Sequence, residues 1–247
     1  MIEVQASDSL SDTIRRLSAA QKPSLGAPAY SRWVNRPVGR VLAAVCYRAG
    51  LTPNGVTAIS ALLSALGIAV LALVPPRWWT GLVVCGCLVT GYAFDSADGQ
   101  LARLRGGGSV AGEWLDHMVD ATKISTLHLS VLISLYRFGD LHSALWYLVP
   151  IGFTVVSNTM FFGMILNEQL RRARGMVKPV QGPASFVRSL IVLPTDYGVL
   201  CLVFPLLGWH AGFLGGYTAL FIGNALFAAA KWVKWFSEMR QLDEGRR

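Results

Sequence analysis

Charge is what this sequence has least of. Only 15% of its 247 residues are Asp, Glu, Lys or Arg, where a soluble domain carries about 25%. That shortfall, with 53% hydrophobic residues and a mean hydropathy of +0.46, excludes an ordinary water-soluble globule and points to lipid as the solvent. Acid is scarcer still, since 14 Asp and Glu stand against 22 Lys and Arg, a formal net charge of +8. A basic chain can serve nucleic acid or an anionic membrane. Uncharged runs at 52–76, 78–94, 124–136, 141–167 and 197–230 leave little surface for a nucleic-acid groove, so the membrane is expected. The four cysteines (Cys46, Cys85, Cys87, Cys201) lack metal or disulfide spacing, and the four histidines (His117, His128, His142, His210) lack ligand spacing. Both sets read as structural side chains. No apolar h-region follows a charged start, so no signal peptide is expected.

What is present is organised as helices. Leu10, Ile14 and Leu17 recur at helical spacing beside Arg15 and Arg16, which predicts a short amphipathic helix on the membrane surface. A second is predicted over 30–48, with Trp33, Val34, Val41 and Leu42 opposed to Arg32, Arg36, Arg40 and Arg48. Six spans follow at 54–75, 78–104, 110–137, 143–169, 188–208 and 211–235. The last uncharged run of 34 residues is divided in two, because as one helix it would reach ~51 Å against a ~30 Å hydrocarbon core. Pro205, Gly208 and His210 mark the break. The expected fold is therefore all-α, an integral membrane six-transmembrane-helix bundle with N-terminal amphipathic surface helices. Its expected parts are a juxtamembrane amphipathic segment (1–50), a transmembrane domain (51–240) and a tail (241–247). Nineteen of the 22 Lys and Arg lie in both terminal segments and the 2–3 and 4–5 loops, which the positive-inside rule makes cytoplasmic. Trp78, Trp79, Trp146, Tyr147 and Trp209 fall at the opposite interface.

Against this scarcity of charge, five acidic residues crowd between Asp95 and Asp120, at the cytoplasmic ends of spans two and three. An aspartate at bilayer depth costs ~2.5–3.5 kcal/mol on insertion scales, so such acids are functional candidates. Asp95, Asp98, Gly99 and Ala102 share one helix face by i, i+3, i+4, i+7 spacing, and Gly112, Asp116 and Asp120 share a face of the next helix. An Arg-Gly-Gly-Gly-Ser turn at 105–109 lets the faces meet, and small residues let the backbones approach. Four converging carboxylates repel one another unless cations sit among them. All-oxygen donors favour Mg²⁺, then Mn²⁺ or Ca²⁺, and four carboxylates suit two ions that would clamp a diphosphate. A solvated acidic loop would need neither the helical register nor the facing glycines.

The stretch Asp95-Ser-Ala-Asp98-Gly99-Gln-Leu-Ala102-Arg103, followed at fixed spacing by Gly112, Asp116 and Asp120, resembles the full signature of the CDP-alcohol phosphotransferases. The resemblance implies transfer of a substituted phosphate, with phosphatidyl from CDP-diacylglycerol the leading reading, to an alcohol with release of CMP. It implies that Asp95, Asp98 and Asp116 bind one Mg²⁺ or Mn²⁺, that Asp95, Asp116 and Asp120 bind a second, and that Asp120 is the general base. Gly99 and Arg103 would contact the CDP moiety, with Thr52, Pro53, Asn54, Gly55 and Ser109 beside it. General chemistry agrees: a base must be ionised and within reach of its proton, and a guanidinium fork suits phosphate oxygens.

The acceptor alcohol is not encoded in that signature. Lys123, Arg171, Arg174 and Asp196 are candidates for binding it. Lys123 could instead touch an aspartate, the basic cluster could anchor to anionic head groups, and Asp196 could be a helix-break acid paired with a basic residue. Lys22-Pro23-Ser24 and Ser31-Arg32-Trp33-Val34-Asn35-Arg36 are similar to the N-terminal approach of di-myo-inositol-phosphate-phosphate synthases, so a CDP-inositol donor with an inositol phosphate acceptor is the alternative. A divalent-cation transporter or a non-catalytic scaffold would not need Gly99, Arg103 and Gly112 at these spacings. The expected partners are the CDP-linked donor, the alcohol, the bilayer and a second copy of the chain as a homodimer, with the active site at the cytoplasmic face and no nucleic acid.

Overall fold

The computed structural model describes residues 10–19, 28–141, 143–176, 189 and 192–244. Lys22, Pro23, Ser24, His142, Lys178 and Arg188 lie outside them, as does the end of the expected tail at 245–247. The described residues form helices and turns.

The frame is a helical hairpin. α3 (Pro53–Leu73) and α4 (Trp78–Leu104) run antiparallel, joined where Pro75 and Pro76 stop one helix and Thr80 Oγ1 bonds the Pro75 carbonyl at 2.9 Å. Small residues line their seam. Ser60 Oγ donates to the Gly91 carbonyl at 2.8 Å, so the backbones meet closely and this hydroxyl is paired across the seam. The chain then turns through Gly106 (φ 95°) and Gly107 (φ 133°), a conformation L side chains rarely adopt, and enters α5 (Val110–Phe138). α6 (Leu148–Ala173) follows a 3₁₀ turn over Ala144–Tyr147. Among the described residues, five helices are long and apolar enough to cross a membrane, α3, α4, α5, the Ala144–Ala173 stretch and the last helix, α8 (His210–Glu244).

The fifth expected span, 188–208, is not a continuous helix where the structure describes it. The chain makes a 3₁₀ turn at Leu193–Thr195, the five-residue helix α7 (Tyr197–Cys201) and a second 3₁₀ turn at Phe204–Gly208. Pro194 and Pro205 remove backbone donors from the run. The pieces nevertheless lie along α4, with Tyr197 against Tyr92 (ring centroids 5.0 Å) and Gly208 beneath the Trp78 ring. Irregular backbone at bilayer depth requires protein cover. Here Val84, Leu88, Phe213 and Tyr217 provide it, packed with Phe204 and Leu207 of the stretch in the main buried core.

The last helix also differs from expectation. A 211–235 span matched the membrane thickness, whereas α8 runs unbroken through Glu244, so residues 241–244 of the expected tail are helical. Its 35 residues reach ~52 Å and outrun a ~30 Å core.

The N-terminal segment is bound into the fold. α1 (Leu10–Ala19) and α2 (Arg36–Arg48), the latter preceded by a π-helical turn at Ser31–Asn35, are the two expected helices. α1 does not give its whole apolar face to lipid. Leu17 is fully buried with Ala43, Ala44, Cys46, Val56, Ala97 and Leu101 in a second core cluster. Burial there pushes the Cys46 thiol pKa up, in keeping with a small structural side chain. α2 lies on α4, where Gln100 Nε2 donates to the Arg36 carbonyl at 3.2 Å. The outer face of the π-helical turn and α2 leaves Trp33, Val34, Val38, Val41 and Val45 exposed.

Candidate active site

Two helix openings meet at one end of the bundle. Thr52 caps α3, its Oγ1 accepting from Gly55 N at 3.1 Å, and Ser109 caps α5, its Oγ accepting from Gly112 N at 3.0 Å. Each hydroxyl satisfies an otherwise orphaned amide. A Cβ on Gly112 would lie 3.2 Å from Asn54 Oδ1 and 3.1 Å from Ser109 Oγ, so only glycine lets α5 begin this close to α3 without pushing a neighbour aside. The positive dipole ends of α3 and α5 thereby stand side by side.

Beside these openings, Asp95 of α4 and Asp116 and Asp120 of α5 each offer a carboxylate oxygen within 4.8 Å of the others. The structure thus brings together three of the four predicted aspartates. Asp98, buried one turn along α4, is held differently: Thr57 Oγ1 donates to its Oδ2 at 2.6 Å and Gly99 N to its Oδ1 at 2.5 Å. Thr57 was not among the predicted site residues. The only sequence signal for it is position, since it stands one turn into the helix that Thr52 opens.

Lys123 takes the second of its two alternatives. Its Nζ lies 3.1 Å from Asp95 Oδ1 and 2.5 Å from Asp120 Oδ1, and 5.4 Å over the Tyr197 ring. On α4, a Cβ at Gly99 would meet nothing nearer than Arg103 Nη1 at 3.7 Å, so there is room beside the helix. Arg103 Nε is buried with no hydrogen-bond partner, a donor suited to an anionic oxygen.

The remaining acceptor candidates already have partners within the protein. Arg171 pairs with Glu238, while Arg174 donates to the Leu242 carbonyl at 2.9 Å and lies 3.5 Å from Asp243 Oδ1. These contacts tie the end of α6 to the extension of α8. Asp196 accepts from Ser31 N at 3.0 Å and Gly198 N at 3.1 Å, so its partners are backbone amides in place of the expected basic residue.

Three converging carboxylates are an all-oxygen donor set of the kind hard divalent ions take. The fit to a divalent metal is therefore good at Asp95, Asp116 and Asp120, with Asp98 adjacent and oriented by Thr57.

The family model for CDP-alcohol phosphatidyltransferase matches residues 50–236. Among solved structures, the chain is similar to Mycobacterium tuberculosis phosphatidylinositol phosphate synthase (PgsA1) in complex with manganese and citrate. That match has 22% identity and a TM-score of 0.53, and covers 79% of this chain and 87% of the other. The same synthase with CDP-DAG bound matches at 22% identity and a TM-score of 0.55, over 82% and 94% of the two chains. No curated protein sequence matches.

Proposed function

We propose that this chain, which belongs to the CDP-alcohol phosphatidyltransferase family, moves a phosphatidyl group from CDP-diacylglycerol to an alcohol and releases CMP. The observation that carries the reading is the cluster of Asp95, Asp116 and Asp120 facing the same end of the bundle as the unpartnered Arg103 Nε and the open flank of Gly99. It is supported by the PgsA1 structure with CDP-DAG bound, which shares the fold.

In this reading Asp95, Asp98 and Asp116 hold one divalent ion and Asp95, Asp116 and Asp120 a second. When bound, such ions neutralise the donor diphosphate and stabilise the departing CMP. Arg103 grips the donor phosphates, and the space beside Gly99 admits the nucleotide without a side chain in its way. The capped openings of α3 and α5 turn backbone amides toward the same anion. Asp120 accepts the proton of the attacking hydroxyl. The acceptor oxygen bonds to the phosphatidyl phosphorus as the bond from that phosphorus to the bridging diphosphate oxygen breaks, and the electron pair leaves on CMP. Lys123 fixes the Asp120 and Asp95 carboxylates in place.

The same reading makes residues 51–240 one transmembrane transferase domain preceded by a juxtamembrane segment that lies on the cytoplasmic surface. Five long helices and the broken 192–208 stretch make six crossings, which return both termini to the cytoplasmic side with the active site. The exposed Trp33–Val45 stripe of α2 would then rest on the bilayer.

The experiment supplies the purified protein with CDP-diacylglycerol and with CDP-inositol separately, with Mg²⁺ and a panel of alcohols, and measures CMP. Alcohol-dependent CMP release from CDP-diacylglycerol is expected. Release from CDP-inositol alone would replace the donor, and cation flux without CMP would remove the transferase reading.

A further inference from the structure

A cavity of about 520 Å³ lies between α5, α6, α8 and the 192–200 stretch. Its position relates it to the carboxylates. Ile124, which lines it, follows Lys123 in α5, and Tyr197, which also lines it, carries Lys123 Nζ over its ring at 5.4 Å. Lys123 in turn holds Asp95 and Asp120. Asn54, Gly99 and Arg103, on the α3 and α4 side, do not line the cavity. Asp95, Asp98, Asp116, Asp120 and Lys123 do not line it either, so the cavity adjoins the carboxylates through Tyr197 and Lys123, on a side free of the donor residues. An incoming nucleophile in an in-line displacement needs a side apart from the donor.

The cavity changes character along its length. His128 stands eight residues beyond Asp120, or ~12 Å along the helix. Around that deep end the walls are Leu127, Phe153, Met160 and Leu200. The polar groups there are already committed: His128 Nδ1 lies 2.7 Å from Tyr217 Oη, and His128 Nε2 lies 3.2 Å from Ser157 Oγ. A polyol or a sugar phosphate would find only Tyr197 Oη, buried without a hydrogen-bond partner, free on these walls, whereas an apolar chain would exchange lipid for a fitted wall. At the other end stand Asn167, Glu168, Arg171 and Lys231. Arg171 and Glu168 are held in ion pairs with Glu238 and Arg172. Asn167, only 8% exposed, has a buried Nδ2 with no hydrogen-bond partner. Such a donor is costly to leave unmatched, and within a ligand cavity it points to an oxygen on the ligand.

We infer that this cavity binds the alcohol acceptor, and that the acceptor is an amphiphile. Its acyl or alkyl chain fills the deep end, its hydroxyl lies at the level of Asp120, and an ester, ether or hydroxyl oxygen accepts from Asn167 Nδ2. The assignment rests on the transferase reading above and adds the acceptor class to it. The new bond joins the lipid hydroxyl oxygen to the phosphatidyl phosphorus, the proton passes to Asp120, and CMP carries away the bridging oxygen, so nothing beyond donor and acceptor is consumed.

The test has two arms. In the first, CMP release from CDP-diacylglycerol is measured with glycerol, with an inositol phosphate and with acylglycerols of rising chain length. kcat/KM is expected to rise about tenfold or more from the short to the long chains, as each buried methylene adds binding. Met160→Trp, which fills the deep end, should move the preferred length downward, and donor binding by the variant shows that it has folded. A water-soluble alcohol used as well as any acylglycerol overturns the acceptor class and leaves the transferase reading standing. Absence of CMP release with every alcohol, from a protein that also fails to bind the CDP donor, overturns the transferase reading and the assignment with it. In the second arm, a diazirine-bearing acylglycerol is photoactivated on the wild-type protein and the labelled peptides are identified. Labels on α6 near Met160 and Met164 and on α8 near Phe227, displaced by acylglycerol but not by phosphatidylcholine, support the assignment. Labelling elsewhere, or equal displacement by phosphatidylcholine, marks a resident bilayer lipid and overturns it.

Discussion

Thr57 Oγ1 stands 2.6 Å from Asp98 Oδ2, and through this one contact α3 sets the orientation of a carboxylate on α4. Partners of this kind around metal ligands typically contribute 10–100-fold to affinity or activity. Thr57→Val keeps the shape and removes the donor. Turnover is expected to fall about tenfold, and the Mg²⁺ concentration for half-maximal rate to rise by a similar factor. Thr57→Ser should restore most of both. A valine variant with unchanged metal dependence would show that the hydrogen bond is incidental.

Chelation should stop the enzyme. Three carboxylates within 4.8 Å need a cation beyond Lys123 once a diphosphate arrives. EDTA is expected to abolish CMP release and Mg²⁺ or Mn²⁺ to return it, and full turnover in chelator would sink the metal assignment.

Asp120 and Asp95 are expected to fail differently. Asp120→Asn preserves shape but cannot take a proton, and loss of a general base costs ~10²–10⁴-fold. Donor affinity should survive in that variant. Asp95→Asn, which touches both proposed ions, should lose donor affinity along with rate. Both quantities are measured at saturating Mg²⁺. If Asp120→Asn instead loses affinity and keeps its rate at saturation, the base lies elsewhere.

A stability prediction concerns the contact between α4 and the broken stretch. A Cβ at Gly81 would run into the Phe204 carbonyl, which is backbone and has little room to yield, while Gly86 on the same helix has open space. Gly81→Ala is expected to destabilise by ~1–3 kcal/mol, the usual cost of overpacking, and Gly86→Ala to leave the melting temperature in detergent nearly unchanged. Equal melting temperatures for the two would contradict the packing.

Orientation can be checked with cysteines placed at Ser11 and Glu244. Both should react only with a membrane-permeant maleimide in intact cells. Labelling of either from outside would invert the topology.

The parts of this structure that the sequence made legible are those set by local periodicity. Asp95, Asp116 and Asp120 converge because i, i+3 and i, i+4 spacings fix helix faces before any tertiary contact exists. Thr57 escaped notice because its importance comes from another helix: its neighbours in sequence are apolar, and only packing brings it to Asp98. The 188–208 stretch read as a span because its apolar run has the length of one. Pro194, Gly198, Pro205 and Gly208 all weaken a continuous helix there, and Pro205 and Gly208 are also the residues that divide the last run. Arg171 and Arg174 read as acceptor or head-group ligands because span length ended the last helix at 235. Continued to Glu244, α8 brings Glu238 and Asp243 to them.

The broken stretch also dictates an order of assembly. Its cover comes from two helices made at different times: Trp78 and Gly81 of α4, synthesised well before it, and Asn224 of α8, whose Nδ2 donates to the Pro194 carbonyl at 2.6 Å, synthesised after it. Among the described residues of this stretch, 192–208, there is no 18-residue apolar helix for the insertion machinery to release into lipid as an independent unit. Tyr197–Gly208 can settle only when α8 has arrived, so closing the bundle is the last event of biogenesis. A ribosome stalled before residue 210 holds a nascent chain with its aspartates already made and its far wall still open.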